Sequence, residues 1–277
     1  MRTVTVAVAV GLLLAGCNTV PSLDGPTSPT TTVTPVDIPA EYDYAPGVTT
    51  EGVTDPGALA AAHERALADS SYRVRATRTV RHANGTLRAQ LLVDVALDQN
   101  RTFLASAATR GPAAPVFLGR PPATGTYWSN GSVYVRRLTR DGETTYTAFE
   151  PPGGGAGTWR YWTRTVPFGG GQATPGGFYR GLFTAVPTRL ADETPGAEPY
   201  RLVGDTATAP FQTEVTDVRD VRLVASVRRD GLVESLTLRY AGEIDGTTVR
   251  IERTVRYRDV GTTAVGRPPW FEKVDGE

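Results

Sequence analysis

Residues 72–97 read YRVRATRTVRHANGTLRAQLLVDVAL and decide the fold of this chain. Apolar and polar side chains alternate on both sides of a central Asn84-Gly85 pair. The apolar set is Tyr72, Val74, Ala76, Val80, Leu87, Ala89, Leu91, Val93, Val95 and Leu97. Alternation is typical of a strand with one buried face, and Asn-Gly is typical of a tight turn in which both central residues have positive φ. The stretch therefore predicts a β-hairpin.

The same turn chemistry recurs along the chain. It is found at Asn130-Gly131, Asp141-Gly142, Asp230-Gly231 and Asp245-Gly246, again beside alternating segments. These repeats predict an antiparallel meander of about 8–11 strands. A sheet of this kind has one apolar face, and that face must be covered by other elements.

Two helices are expected to supply part of this cover. Asp55-Pro56 gives a helix start, and an apolar stripe follows at Leu59, Ala62, His63, Ala66 and Leu67, with an end near Asp69-Ser70. Residues 178–186 are expected to form a second helix. We therefore expect an α+β fold in which a curved antiparallel β-sheet, or half-barrel, carries an N-terminal helix and one or two further helices on its concave face.

The N-terminus indicates export and lipid anchoring. Leu14-Ala15-Gly16-Cys17 ends a short apolar run and is typical of a lipobox, and Cys17 is the only cysteine. The alternative is an ordinary cleaved signal. We expect a signal peptide at residues 1–16, a disordered Thr/Pro-rich tether at 17–46, one globular domain at 47–271 and a tail at 272–277. The tether is either an unmodified spacer or an O-glycosylated stalk.

Composition and motifs exclude several classes of function. The chain has 29 basic and 29 acidic residues and no long basic run, so nucleic acid is not an expected partner. It lacks a nucleophile elbow, a spaced His/Cys metal motif and a phosphate-binding glycine loop, so we expect no enzyme activity, metal or cofactor. Of the two histidines, His63 lies on the apolar stripe and is expected to be a packed core residue rather than a catalytic one.

Asn84, Asn100 and Asn130 each begin an Asn-x-Ser/Thr sequence. In an exported protein each is a candidate N-glycosylation site. The competing interpretation for Asn84 and Asn130 is that Asn-Gly serves only the turn.

Residues 151–177 are rich in glycine and aromatic side chains and are expected to form a long loop. The candidate ligand or lid residues in and after it are Trp159, Tyr161, Trp162, Phe168, Phe178 and Phe183. One hypothesis is a mobile aromatic lid over an apolar cavity, and the other is core packing beside a poorly ordered loop.

Four stretches carry a resemblance to a known group. They are GVTDPGALAAAHERAL at 52–67, SYRVRATRTVRHANGTLR at 71–88, YWSNGSVYVRR at 127–137 and RTVRYRDVGTTAVGRPPWF at 253–271. From about Gly47 to Phe271 the chain resembles a family of haloarchaeal surface lipoproteins that has no assigned biochemical role. Its helix followed by a long meander looks like the LolA/LppX half-barrel, whose members carry lipids or lipidated proteins in a cavity shielded by helices.

These observations favour a membrane-anchored, extracytoplasmic lipoprotein that binds or carries a lipid, another apolar ligand or a lipidated protein. The alternative is an envelope interaction or structural protein that recognises another surface protein through its sheet edge or aromatic loop.

Overall fold

A computed structural model describes residues 44–166, 175–191, 198–210 and 214–274. The helices are α1 (Pro56–Ala68), α2 (Gly154–Thr165) and α3 (Pro175–Ala185), with a short 3-10 helix at Phe271–Lys273. The strands are β1 (Val48–Thr49), β2 (Gly52–Val53), β3 (Tyr72–His82), β4 (Leu87–Leu97), β5 (Phe103–Arg110), β6 (Ala123–Ser129), β7 (Tyr134–Arg140), β8 (Glu143–Phe149), β9 (Arg189–Leu190), β10 (Tyr200–Gly204), β11 (Thr216–Val227), β12 (Val233–Ile244) and β13 (Thr247–Arg258).

Eleven strands form one curved antiparallel sheet in the order β8-β7-β6-β5-β4-β3-β13-β12-β11-β10-β9. Strands β8 and β9 form its two edges, so the sheet is not closed. Its centre is the pair β3–β13, in which Arg73 faces Arg258 and His82 faces Val249. The expected α+β fold with a curved sheet and three helices is confirmed.

The turns lie where the sequence places them, but they are of two kinds. Asp141 and Gly142 both have positive φ (51° and 81°), as the expected two-residue turn requires. At Asn84-Gly85, in contrast, only the glycine has positive φ (87°), and a register shift follows between Val80 and Arg81. The expectation of two positive-φ residues was therefore wrong for this hairpin. A β-bulge beside the turn changes the strand pairing, so the turn needs positive φ only at the glycine.

Gly231 and Gly85 occupy equivalent turns and offer a matched pair of substitutions. Both have φ of 87°, and in both turns the preceding Asp or Asn accepts a hydrogen bond from the backbone N–H two residues later. A Cβ on Gly85 would meet nothing within 4 Å, whereas a Cβ on Gly231 would lie 2.3 Å from the Cβ of Ala62 on α1.

We expect Gly85→Ala to lower the free energy of unfolding by about 1 kcal/mol and Gly231→Ala by about 2–4 kcal/mol, because the second adds a clash to the same backbone strain. Denaturant titration of both variants measures the difference. Equal losses would show that α1 does not rest on the β11–β12 turn.

Alternate strand residues point to the concave face and form the main core with the helices. Helix α1 contributes Leu59, Ala60, Ala62, His63 and Leu67 to this core. Helix α3 packs against α1, where the Gly176 N–H donates to Oε1 of Glu64 at 3.1 Å. Among the described residues, no helix is long and apolar enough to span a membrane.

A second, smaller core lies on the convex face. Trp128 of β6 and Val135 of β7 pack there against Trp270 and Phe271, and the Trp128 and Phe271 rings meet edge to face at 5.3 Å. The segment after β13 therefore covers the outside of the sheet near the β8 edge.

Residues 151–177 are not the continuous loop that their glycines predict. Gly154–Thr165 form helix α2, which begins after Gly153 in the left-handed region (φ 70°). Glycine disfavours helix by about 1 kcal/mol per residue, so the helix depends on packing against the sheet. Thr158 and Trp162 are its buried side chains.

Candidate functional site

An aromatic cluster joins α2 to the concave face of the sheet. Its members, which we call the α2 aromatic cluster, are Phe103, Tyr127, Tyr134, Trp159 and Trp162. The Trp159 and Trp162 rings stack with centroids 5.5 Å apart and planes 14° apart. Phe103 of β5 lies 5.4 Å from Trp159 and 6.0 Å from Trp162. Trp162 is completely buried and is the large side chain of α2 that packs between the helix and the sheet.

The candidate ligand residues fall into two groups in the structure. Trp159, Tyr161 and Trp162 lie on α2, and Tyr161 remains 49% exposed at 6.4 Å from the Tyr134 ring. Phe178 and Phe183 are buried on α3 beside Tyr179. Phe168 lies outside the described residues, as does Cys17.

A cleft of about 460 Å³ separates α1 from α2. Its base contains Tyr72 and Trp159, and two exposed alanines, Ala68 and Ala156, face it from the two helices. The other lining residues are His63, Glu64, Leu67, Asp69, Arg101, Arg160 and Thr163. The cleft thus combines two aromatic side chains with several charged ones.

His63 is a buried neutral residue at the base of the cleft. Its side chain is completely buried, and its Nδ1 accepts a hydrogen bond of 3.1 Å from the Val233 N–H. The Tyr179 and Tyr257 rings meet the imidazole edge to face at 4.4 and 5.2 Å. Burial lowers the pKa of His63 from 6.5 to about 3. These contacts support the expectation of a packed core histidine.

The concave face also contains arginines that no sequence motif indicates. Arg253 is only 5% exposed, lies with its guanidinium carbon 4.8 Å from the Phe178 ring centre, and pairs in register with Arg78. Burial lowers the pKa of Arg253 to about 10. Arg78 in turn forms an ion pair with Glu214. Both arginines occupy inward positions of their strands, so strand periodicity is the signal that could have found them.

The three candidate glycosylation asparagines are all exposed. Oδ1 of Asn84 accepts a hydrogen bond from the Thr86 N–H at 3.0 Å, and Oδ1 of Asn130 accepts from the N–H groups of Ser132 and Val133. These two side chains therefore have a turn-forming role, whatever their modification. Glycosylation at Asn84, Asn100 or Asn130 stays a prediction.

Within the described ranges, no three His, Cys, Asp or Glu side chains lie close enough together to hold a metal ion. The absence of a cofactor and of enzyme activity remains a prediction from the sequence.

Comparison with known proteins gives distant structural likenesses. No protein-family model and no curated protein matches the chain. A solved structure of LprF from Mycobacterium bovis is 11% identical, with a TM-score of 0.33 over 77% of this chain and 96% of that chain. A DUF1329 family protein from Desulfovibrio piger is 10% identical, with a TM-score of 0.26 over 78% and 95% of the two chains.

A LolA superfamily protein from Nitrosomonas europaea is 9% identical, with a TM-score of 0.24 over 75% of this chain and 93% of that chain. At these values the likenesses say nothing about what this chain binds. The resemblance to haloarchaeal surface lipoproteins stays a prediction from the sequence.

Proposed function

We propose that this protein is a non-enzymatic binding or carrier module for a lipid or another apolar ligand. The observation that carries the proposal is the cleft between α1 and α2, whose base continues into the α2 aromatic cluster. Its volume of about 460 Å³ lies within the usual range for ligand sites, about 300–1,000 Å³.

Helix α2 is the movable wall in this proposal. Gly154, Gly155 and Gly157 weaken it intrinsically, and Gly153 and Gly154 both have positive φ at its start. Elements that open to admit ligands are drawn from the less stable parts of a fold. Outward movement of α2 would expose the apolar β5–β7 surface, which includes Phe103 and Tyr127, and would enlarge the cleft.

The α1–α3 unit is the fixed wall. Glu64 joins the two helices, and a Cβ at Gly176 would lie 2.4 Å from the Glu64 carboxylate, so these helices approach closely. His63 ties α1 to the sheet at Val233. A ligand would therefore enter by displacing α2 rather than α1.

Filling the cleft tests the ligand proposal. We expect native mass spectrometry of the full chain, extracted in mild detergent, to show a bound apolar species. Ala68→Trp and Ala156→Trp should remove most of that species, because each places an indole in the cleft. The matched control is Ala61→Trp, an exposed α1 position outside the cleft lining, which should keep it. An empty wild-type protein, or equal ligand retention in all three variants, would contradict the proposal.

We also propose that the domain is held at the extracytoplasmic face of the cell membrane by lipid on Cys17, with residues 17–46 as the tether to a domain at 47–271. Durable anchoring needs two acyl chains, which lipobox modification supplies. Cys17→Ser should move the protein from the membrane fraction to the aqueous phase on detergent partitioning, or leave the signal segment uncleaved. An unchanged mass and unchanged partitioning would exclude the lipobox.

A second candidate function is recognition of another envelope protein at the β8 edge. Phe149 of this edge strand is 38% exposed and Tyr161 of α2 is 49% exposed, so aromatic surface lies beside unpaired backbone. Phe149→Ala with Tyr161→Ala should abolish co-purification of a fixed partner while leaving the cleft ligand in place. Retention of the partner would exclude this edge as the interface.

A further inference from the structure

Four arginines surround a groove on the convex face of the sheet, opposite the cleft. Arg73 of β3 faces Arg258 of β13, and Arg75 faces Arg256. The groove measures about 500 Å³. We call these four residues the arginine quartet. They stand on the sheet face opposite to Tyr72 and Val74, which are buried beneath the helices.

The floor of the groove is lined by hydroxyl groups. Thr77 of β3 faces Thr254 of β13, and Ser235 and Thr237 of β12 continue the row. Hydroxyl groups donate to oxyanions, and each guanidinium presents a planar fork of N–H donors that matches phosphate. The arginine guanidinium groups and the hydroxyl groups therefore all provide hydrogen-bond donors to the same groove.

Neighbouring carboxylates balance only part of the positive charge of the quartet. Nε of Arg73 lies 3.5 Å from Asp259, and Asp94 lines the groove opposite Arg75 in register. In the part of the chain that the structure describes, the guanidinium groups of Arg75, Arg256 and Arg258 have no hydrogen bond or ion pair. Like charges directly opposite each other destabilise a sheet, so this arrangement costs folding free energy.

Another arginine on the same face shows the ordinary arrangement. Arg239 of β12 faces Glu252 of β13 in register, and its Nη2 lies 3.3 Å from the carboxylate. The quartet departs from this pattern at two successive cross-strand pairs. In both pairs an arginine of β3 faces an arginine of β13, and all four residues line the groove.

We infer that the arginine quartet binds a phosphate-bearing ligand, with the guanidinium groups as walls and the threonine and serine hydroxyls as floor. Phosphate suits the site better than a single carboxylate because it presents more acceptor oxygens to donors that converge from both strands. The site is separate from the cleft between α1 and α2, and the proposed function does not depend on it.

The test uses the full chain with Cys17→Ser, so that an acyl anchor cannot attach the protein to vesicles. Calorimetric titration with pyrophosphate should show binding that Arg256→Gln with Arg258→Gln weakens by about tenfold or more. Arg239→Gln is the matched control and should bind as the parent does. The double variant should be at least as stable as the parent, since it removes two like-charge pairs, so misfolding cannot imitate the result.

Further arms of the test identify the source and class of the ligand. Flotation with vesicles that contain an anionic phospholipid, against vesicles of a zwitterionic phospholipid alone, shows whether the phosphate belongs to a lipid headgroup or to a soluble molecule. Quartet-dependent binding in either the pyrophosphate or the vesicle arm supports the inference. Equal affinity for a tricarboxylate or an acidic peptide, or binding that the double variant leaves unchanged, would overturn it.

Discussion

Trp162→Ala lowers the free energy of unfolding by about 3–5 kcal/mol, the range typical of a large aromatic side chain removed from a packed core. Trp162 is completely buried on α2 and contacts Phe103, Tyr127 and Trp159. The effect should be centred on α2, because this glycine-containing helix has few other buried side chains. Urea titration measures the loss, and hydrogen exchange should show faster exchange of the α2 amides.

The neighbouring Tyr161 provides the control. It is 49% exposed, and Tyr161→Ala should cost about 1 kcal/mol or less. Equal losses for the two variants, or unchanged exchange in α2 after Trp162→Ala, would contradict the view that one buried tryptophan holds this helix on the sheet.

Acid weakens the fold through His63, with the largest effect between pH 6.5 and about pH 3. Burial lowers the pKa of His63 from 6.5 to about 3 in the folded protein. In this window the unfolded chain binds a proton at His63 that the folded chain does not, so stability falls as the pH falls. The slope is about 1.4 kcal/mol per pH unit, which gives a loss of roughly 2–3 kcal/mol between about pH 6.5 and pH 4.5. Above pH 6.5 the contribution is fully present.

His63→Asn separates this effect from the titration of carboxylates. The Asn Oδ1 can accept the hydrogen bond from Val233, but the side chain does not titrate. The variant should be less stable than the parent near neutral pH, because it loses the Tyr179 and Tyr257 contacts, and it should show a shallower acid slope. An unchanged slope in His63→Asn would show that the imidazole is protonated without unfolding.

The strands and turns could be predicted because their determinants are local. Alternation and the Asn-Gly or Asp-Gly pairs specify hairpins without long-range information, and Asp55 accepts from the Ala58 N–H as the N-cap of α1. Helix α2 could not be predicted in this way. Its glycines indicate a loop, and only packing of Trp159 and Trp162 against distant strands makes it a helix.

The candidate site was partly predictable for the same reason. Trp159 and Trp162 could be identified as candidates because they lie in a sequence segment rich in aromatic residues. Phe103 and Tyr127 could not, because they belong to ordinary alternating strands. The arginine quartet was equally hidden. Each of its members is an expected outward residue, and the cross-strand pairing that makes them a group depends on the register of β3 with β13.

The central strand pair, β3 and β13, also affects the order in which the sheet can fold. Strands β3 and β13 are separated by more than half of the 277-residue chain, yet they lie side by side in the middle of the sheet. The hairpins from β3 to β8 are local and close quickly, whereas β3–β13 pairing must close a very long loop and is correspondingly slow. Because the chain is synthesised from its N-terminus, β3 is a temporary edge strand until β13 has been made and has paired with it. The phosphate-binding groove proposed here exists only once that last ladder has formed, so its appearance would report complete folding of the domain.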